Sequence, residues 1–304
     1  MMACMCHATS SHAAYPERSV RIVVPVAPGG SLDTIGRLLA DYLKGHFGGV
    51  FLVENKAGAN TAIGSSFVSK SAADGYTLLV NTDAVVTASL ASSGLKVDPV
   101  DELQPVSMLV SSPAVLVVRP ELGARSLQEF IAFARAKPLN VASTGSGTAS
   151  QFTGLMFKQR ASIDWTDIPY SGSAPAVQAL LGGQVDAMWS MAAPLLPSIK
   201  SGKIVPLGIT SAAPSAQLPG VATVASVLPG FVVDNWTGLF APPGTPEPIV
   251  KALSKAVAAM MKDPKYEGRL RELGFVPVGS SSSELEAEIK SSLTKWRSVL
   301  AKPK

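Results

Sequence analysis

The stretch Val20-Arg21-Ile22-Val23-Val24-Pro25 runs through Val26 into Ala27-Pro28-Gly29-Gly30-Ser31, after which Ile35, Leu38, Leu39, Tyr42, Leu43 and Phe47 recur at helical spacing. A nearly unbroken β-branched run predicts a strand buried on both faces. The glycine turn and the apolar stripe behind it predict a helix. Phe51-Leu52-Val53-Glu54 predicts a second strand, a helix is expected at about 63–73, and Thr77-Leu78-Leu79-Val80 predicts a third strand. Strands that alternate with helices need crossovers, so this order predicts a parallel sheet.

Outward from there the pattern changes. Residues 107–118 (SMLVSSPAVLVV) form an extended apolar run with a proline in its middle. A second α/β set follows: a helix at 127–135, a strand at 139–143, a helix around 153–159, a short strand Asp167-Ile168-Pro169 and a helix at 174–181. The strands Val185-Asp186-Ala187-Met188-Trp189 and 204–209 complete it. Residues 231–243 (FVVDNWTGLFAPP) are again extended. In the C-terminal region Thr245 is expected as an N-cap with Pro246 at the first helical position, and Asp263-Pro264 as the end of that helix. Ser283 and Glu286 have capping-box spacing. The last helix places Leu285, Ile289, Leu293, Trp296 and Leu300 on one face. Two α/β sets joined by two extended passages predict an α/β fold of two lobes, each a sheet flanked by helices, with a double crossover hinge. Lobe one is expected at 15–116 plus 237–304 and lobe two at 117–236. A ligand cleft then lies between them, at the carboxyl ends of the strands.

The chain has 304 residues, 47% of them hydrophobic and 16% charged, enough to bury a sizeable core. Its net charge of +4 comes from residues 251–304, with 11 Lys and Arg against 6 Asp and Glu. No basic stripe with interleaved aromatics is visible, which excludes a nucleic-acid partner. The two cysteines, Cys4 and Cys6, precede the expected fold, so its body has neither disulfide nor thiolate chemistry. Residues 1–14 (MMACMCHATSSHAA) read as a residual export signal with cleavage near Tyr15, a disordered tail being the alternative. No later stretch is long and apolar enough to span a bilayer.

Four loops of small polar residues each follow a strand and open a helix. They are Pro28-Gly29-Gly30-Ser31, Thr144-Gly145-Ser146-Gly147-Thr148, Tyr170-Ser171-Gly172-Ser173 leading to Ala174, and Ser190-Met191-Ala192-Ala193 after Trp189. A helix N-terminus carries unpaired N–H groups and partial positive charge, so several aimed at one cleft can hold a carboxylate without Arg or Lys. For any one loop alone, N-capping explains the hydroxyls as well. The glycines fit neither the dinucleotide fingerprint nor a phosphate loop, and Ser146 and Ser171 lack the flanking glycines of a nucleophile elbow. The histidines, His7, His12 and His46, lie in the tail or at the end of the first helix, so no imidazole base, metal cluster or cofactor is expected in the cleft. Asp33, Asp83 and Asp186 are the loop carboxylates that catalysis could use, and none has an obvious pair. Asn81, Thr82 and Asp83 follow the third strand and are expected at the cleft mouth, where Asp83 either meets the ligand or caps the next segment.

These residues resemble the tripartite tricarboxylate transporter receptors, also called Bug proteins. The resemblance is carried by Tyr15-Pro16, Arg21-Ile22-Val23-Val24-Pro25, Ala27-Pro28-Gly29-Gly30 with Asp33, and Val53-Glu54-Asn55 with Gly58. It continues through Asp74-Gly75-Tyr76-Thr77-Leu78-Leu79, Pro169-Tyr170-Ser171-Gly172-Ser173-Ala174-Pro175 and Leu181-Gly182-Gly183-Gln184-Val185. Trp236-Thr237-Gly238-Leu239 and Ala241-Pro242-Pro243-Gly244-Thr245-Pro246 complete it, so it covers the chain from Tyr15 onward. It implies a type II periplasmic binding protein fold with a mixed sheet in each lobe. It also implies a monomeric periplasmic receptor for a small organic mono- or dicarboxylate, aliphatic or aromatic, with transporter permease subunits as partners. The ligand would be held by backbone amides, hydroxyls and water from the cleft loops. This chain departs from the family pattern at Ser146, Thr148, Ala149 and Gln151, where Asn, Ser, Thr and His are common. It departs again at Ser190, often Asp, and at Asp83, usually a small neutral residue. An enzyme on the same two-lobed fold is the alternative reading; a cytoplasmic sensing module would need a DNA-binding helical segment that the sequence does not show.

Overall fold

The computed structural model describes residues 15–90 and 97–301, so the expected export signal at 1–14 lies outside the described residues. β1 (Val20–Val24) leads into α1 (Ser31–Phe47), β2 (Phe51–Asn55), α2 (Ala62–Ser69), β3 (Thr77–Thr82) and the short α3 (Ala84–Ser89). Then come β4 (Gln104–Val118), α4 (Leu127–Ala136), β5 (Asn140–Ser143), α5 (Ala149–Ala161), β6 (Thr166–Pro169) and α6 (Ser173–Leu181). The chain continues through β7 (Ala187–Met191), α7 (Leu196–Lys200), β8 (Val205–Ile209) and β9 (Asp234–Ala241). It ends with α8 (Glu247–Met260), α9 (Pro264–Glu272), β10 (Val276–Pro277) and α10 (Ser282–Ala301).

β1 sits between β2 and β3 and is parallel to both, with Ile22 in register with Val53 and Leu78. The α1 and α2 crossovers make that arrangement possible. β9 inserts between β3 and β4, antiparallel to each. In the second half β5 is parallel to β6 and β7, while β4 runs antiparallel to β7 and β8. Both halves are therefore mixed sheets. The absence of alternation in β1 has a direct cause. Ile22 and Val24 pack into one core with Leu39 and Leu43 of α1 and Leu253 of α8. Val23 faces the opposite core with Leu79, Phe240 and Trp296. Each fully buried Leu or Ile in these stripes contributes about 1.5–3 kcal/mol. The second core extends to Leu116, Phe157 and Trp189 of the second half, and a third gathers Val115, Met188, Leu180 and Leu195 under α6 and α7.

β4 belongs to both halves. Up to Pro113 it pairs with β9 and β10; from Ala114 it pairs with β7 and β8. Proline has no N–H to give a ladder, so Pro113 sits where the strand exchanges partners. The return passage changes sides between Val233, whose N–H donates to the Thr210 carbonyl, and Asp234, which pairs with Pro113. α10 packs on β4, α3, α5 and α8, and so spans the junction.

Three local expectations are corrected. Helix α8 starts at Glu247 with Pro246 in the capping position, and the Thr245 hydroxyl instead donates to the Pro242 carbonyl at 2.8 Å. The capping box of α10 is Ser281 with Glu284: Glu284 N–H donates to Ser281 Oγ at 3.2 Å, and Ser281 N–H to Glu284 at 2.7 Å. Serines at 281, 282 and 283 offer the same spacing twice, and the earlier pair takes it. Finally, β7 runs on through Ser190 and Met191, so the fourth expected loop is partly strand and opens only a 3-10 turn and the five-residue α7.

Candidate functional site

A cavity of about 650 Å³ opens where the two halves meet. The first residues of three helices line it: Gly30, Ser31 and Leu32 of α1, Thr148, Ala149 and Ser150 of α5, and Gly172, Ser173 and Ala174 of α6. No side chain caps α1 or α6, so their first N–H groups keep their hydrogen-bonding capacity. No Lys, Arg or His stands among the lining residues, and Asp83 is their single ionisable group. The electrostatics of the wall are thus set by helix ends and hydroxyls against one carboxyl group.

Of the residues expected from sequence, Pro28, Gly30, Ser31, Thr82, Asp83, Thr144, Thr148, Gly172, Ser173, Ala174 and Ser190 line the cavity. The Ser173 and Ser190 hydroxyls lie 3.3 Å apart, joining α6 to β7. The others expected with them do not line it, each for a visible reason. Asp33 is turned inward and accepts from Gly29 N–H at 2.9 Å, Asn55 Nδ2 at 2.9 Å and Arg37 Nε at 2.9 Å. The Arg37 guanidinium is the main reason its carboxyl is held down at about 2. Gly29 N–H is consumed by that same contact. Asn81 is fully buried and donates to the Thr61 and Ser65 hydroxyls at 3.1 and 3.0 Å. Gly145, Ser146 and Gly147 belong to a loop folded on itself. Thr148 Oγ1 donates to the Gly145 carbonyl at 2.7 Å, and Gly147 N–H donates to Gln151 at 2.8 Å. Tyr170 donates its N–H to the Ser143 carbonyl and packs at the edge of the third core. Trp189 is core, stacked with Phe231 and tilted against Phe157. Asp186, weighed as a catalytic carboxylate, is paired with Arg119 at 2.7 Å at the other end of β7.

Asp83 is 7% exposed, and its backbone is anchored by its N–H to the Trp236 carbonyl at 3.0 Å. It occupies the capping position of α3, yet its side chain makes no capping bond. Thr82 Oγ1 accepts the Ala84 N–H instead, at 3.2 Å. Burial pushes the Asp83 carboxyl up to about 7; Lys295 on α10 opposes this and Glu288 on the same helix adds to it.

Sequence reasoning missed Asn60, Thr61, Ser150 and Asn235, all on the cavity wall. Ala59, Asn60 and Thr61 hold left-handed backbone, at φ 48°, 47° and 71°, a costly run without glycine that marks a constrained loop. Only the neighbouring Gly58 hinted at it. Asn235 is 4% exposed and its Oδ1 has no partner among the described residues. A polar side chain inside the apolar run of β9 was the available signal.

Residues 35–303 match the family described as "Tripartite tricarboxylate transporter family receptor". The chain belongs to that family. Protein BugT of Bordetella pertussis is 35% identical over 293 residues, 94% of this chain and 89% of that protein. Among solved structures of similar proteins, "R. palustris Rpa4515 with adipate" aligns with a TM-score of 0.85 at 31% identity, covering 94% of this chain and 97% of the other. MatC from Rhodopseudomonas palustris with bound malate aligns with a TM-score of 0.81 at 33% identity, over 94% of this chain and 99% of that one. The two-lobed mixed α/β fold is likewise shared with the structure described as "periplasmic binding protein BugD", at a TM-score of 0.80 and 32% identity over 94% of this chain and 97% of the other.

Proposed function

We propose that this receptor works in the periplasm, closing on one small organic carboxylate in the 650 Å³ cavity and presenting it to the permease subunits of a tripartite transporter. The observation that carries this is the meeting of three helix N-termini, of α1, α5 and α6, in a cavity with no basic side chain. Such ends bind anions through backbone N–H groups and the helix dipole. Membership of the receptor family and the adipate and malate of similar proteins support the carboxylate class. The volume falls in the range of small-molecule sites and admits an aliphatic chain or an aromatic ring. The site residues we assign are the lining residues named above, with Asn60, Thr61, Ser150 and Asn235 added. The lobes divide where strands exchange partners, after Pro113 and after Val233, a few residues before the boundaries expected from sequence.

We propose binding without turnover, by a monomer. Acid–base chemistry on a carboxylate calls for a positioned pair of groups, and the cavity wall supplies one ionisable side chain. Calorimetric titration with aliphatic and aromatic carboxylates and their matched carboxamides tests the reading. Carboxylates should bind and amides of the same shape should not. Equal binding of the two sets, or chemical conversion of a bound carboxylate seen by NMR, overturns it.

A further inference from the structure

Two acceptors on the cavity wall have no partner within the described structure. Asn235 Oδ1 is completely enclosed and unbonded. The Asp83 carboxyl, on the same wall, makes no capping bond to α3. The two positions are adjacent: Asp83 N–H bonds to the carbonyl of Trp236, the residue after Asn235. A buried acceptor with nothing to accept is costly, and a donor on a ligand would satisfy it. The helix ends on the same wall attract negative charge, whereas this corner repels it.

We propose that Asp83 and Asn235 form an acceptor subsite that selects carboxylates carrying a second, proton-donating group, a hydroxyl or an ammonium, over plain carboxylates and over dicarboxylates without one. This rests on the carboxylate-receptor reading and narrows it. The carboxylate end lies on the amides of α1, α5 and α6, and the donor lies toward Asp83 and Asn235. The charged and titratable groups facing Asp83 from α10 are Lys295, which favours its ionised form, and Glu288, which opposes it. Asp234, next to Asn235 in β9, feels the same two residues. Burial pushes the Asp83 carboxyl up to about 7, so it holds a proton part of the time near neutral pH. An ammonium therefore ionises it and expels a proton on binding, whereas a hydroxyl releases far less.

The test is a titration of the full chain with butyrate, its 2-, 3- and 4-hydroxy and 2-, 3- and 4-amino derivatives, and succinate. The expected result is that at least one hydroxy or amino isomer binds about tenfold or more tightly than butyrate and succinate. Titration in two buffers of different ionisation enthalpy at pH 7 separates the donors: proton release is much larger for an ammonium than for a hydroxyl. In Asp83→Asn and Asn235→Ala the preference for the donor-bearing ligand should fall severalfold, with folding checked by thermal denaturation. Butyrate or succinate binding the wild-type protein as tightly as every hydroxy and amino isomer overturns the subsite while leaving the carboxylate receptor standing. Succinate binding tightest with proton uptake overturns it too, because Asp83 would then act as an acid toward a second carboxylate. Failure of every carboxylate to bind removes both readings.

Discussion

Asn60 Nδ2 donates to the carbonyl oxygen of Gly147 at 3.4 Å, joining the loop before α2 to the loop before α5 across the cavity. One belongs to the first half of the molecule and the other to the second, so the bond bridges the two halves beside the cavity. Asn60→Ala should favour the open form and weaken carboxylate binding by about threefold to tenfold, the worth of one neutral hydrogen bond. Small-angle scattering of the ligand-free variant should show a larger radius of gyration than wild type. An unchanged radius and unchanged affinity would show that this contact does not bear on closure.

Gly30 has φ −80° and ψ 172°, and an added Cβ meets no atom within 4 Å. Valine there is compatible with the backbone, so Gly30→Val should fold with a stability close to wild type. Its branched side chain would stand before the amides of α1, and carboxylate affinity should drop by at least about tenfold. Calorimetry and thermal denaturation of the same sample read the two effects separately.

The Asp33 carboxylate accepts from Gly29, Arg37 and Asn55 and holds the Pro28–Ser31 turn in place. Asp33→Ala strands those donors and should cost about 1–3 kcal/mol in urea unfolding. Its carboxyl is held at about 2 in the fold, against an ordinary value of 3.8. The unfolded chain therefore takes up the proton first as pH falls. The stabilisation is complete above about pH 4 and fades toward pH 2, and the gap between wild type and variant should close over that interval.

Asp83 has the opposite sign. Its carboxyl is raised from 3.8 to about 7 by burial, with Lys295 and Glu288 pulling in opposite directions. Between those values the folded protein holds a proton that the unfolded chain has lost, so stability declines as pH rises from about 4 to about 7 and then levels. Asp83→Asn should be more stable than wild type at pH 8, by up to roughly 4 kcal/mol, with the advantage gone at pH 4. Urea unfolding across that range measures it. A constant difference at every pH would mean that the carboxyl is not desolvated.

The fold was legible where periodicity was strong. β1 with α1 and the parallel pairing among the first three strands could be read from the Val20–Val24 run, the stripe from Ile35 to Phe47 and the alternation of strands with helices, while the placing of β1 between β2 and β3 could not. The two-residue β10 has too little pattern to find; it forms because Val276 and Pro277 meet Val110 and Ser111. At the site, glycine and hydroxyl loops located the helix ends but could not say which atoms stay free. Asp33, Asn81 and the 145–147 loop spend their polar groups on neighbours, which depends on tertiary packing. Asn235 showed only as a polar residue within a strand, and it gains a functional setting only when Asp83 is laid beside it.

The place of β9 in the sheet governs the order in which the molecule can be assembled. β3 and β4 are separated by a strand that is not made until residues 234–241 leave the ribosome. A nascent chain of two hundred or so residues has every other strand of the β2-β1-β3-β9-β4 path and still cannot close it. Until then Leu79, Val80 and the Val106–Val110 segment offer open, apolar edges to any other strand within reach. Sequence-distant pairing of this kind is slow, so these edges stay open for most of the chain's synthesis, and the chain is most vulnerable to self-association just before its last quarter arrives.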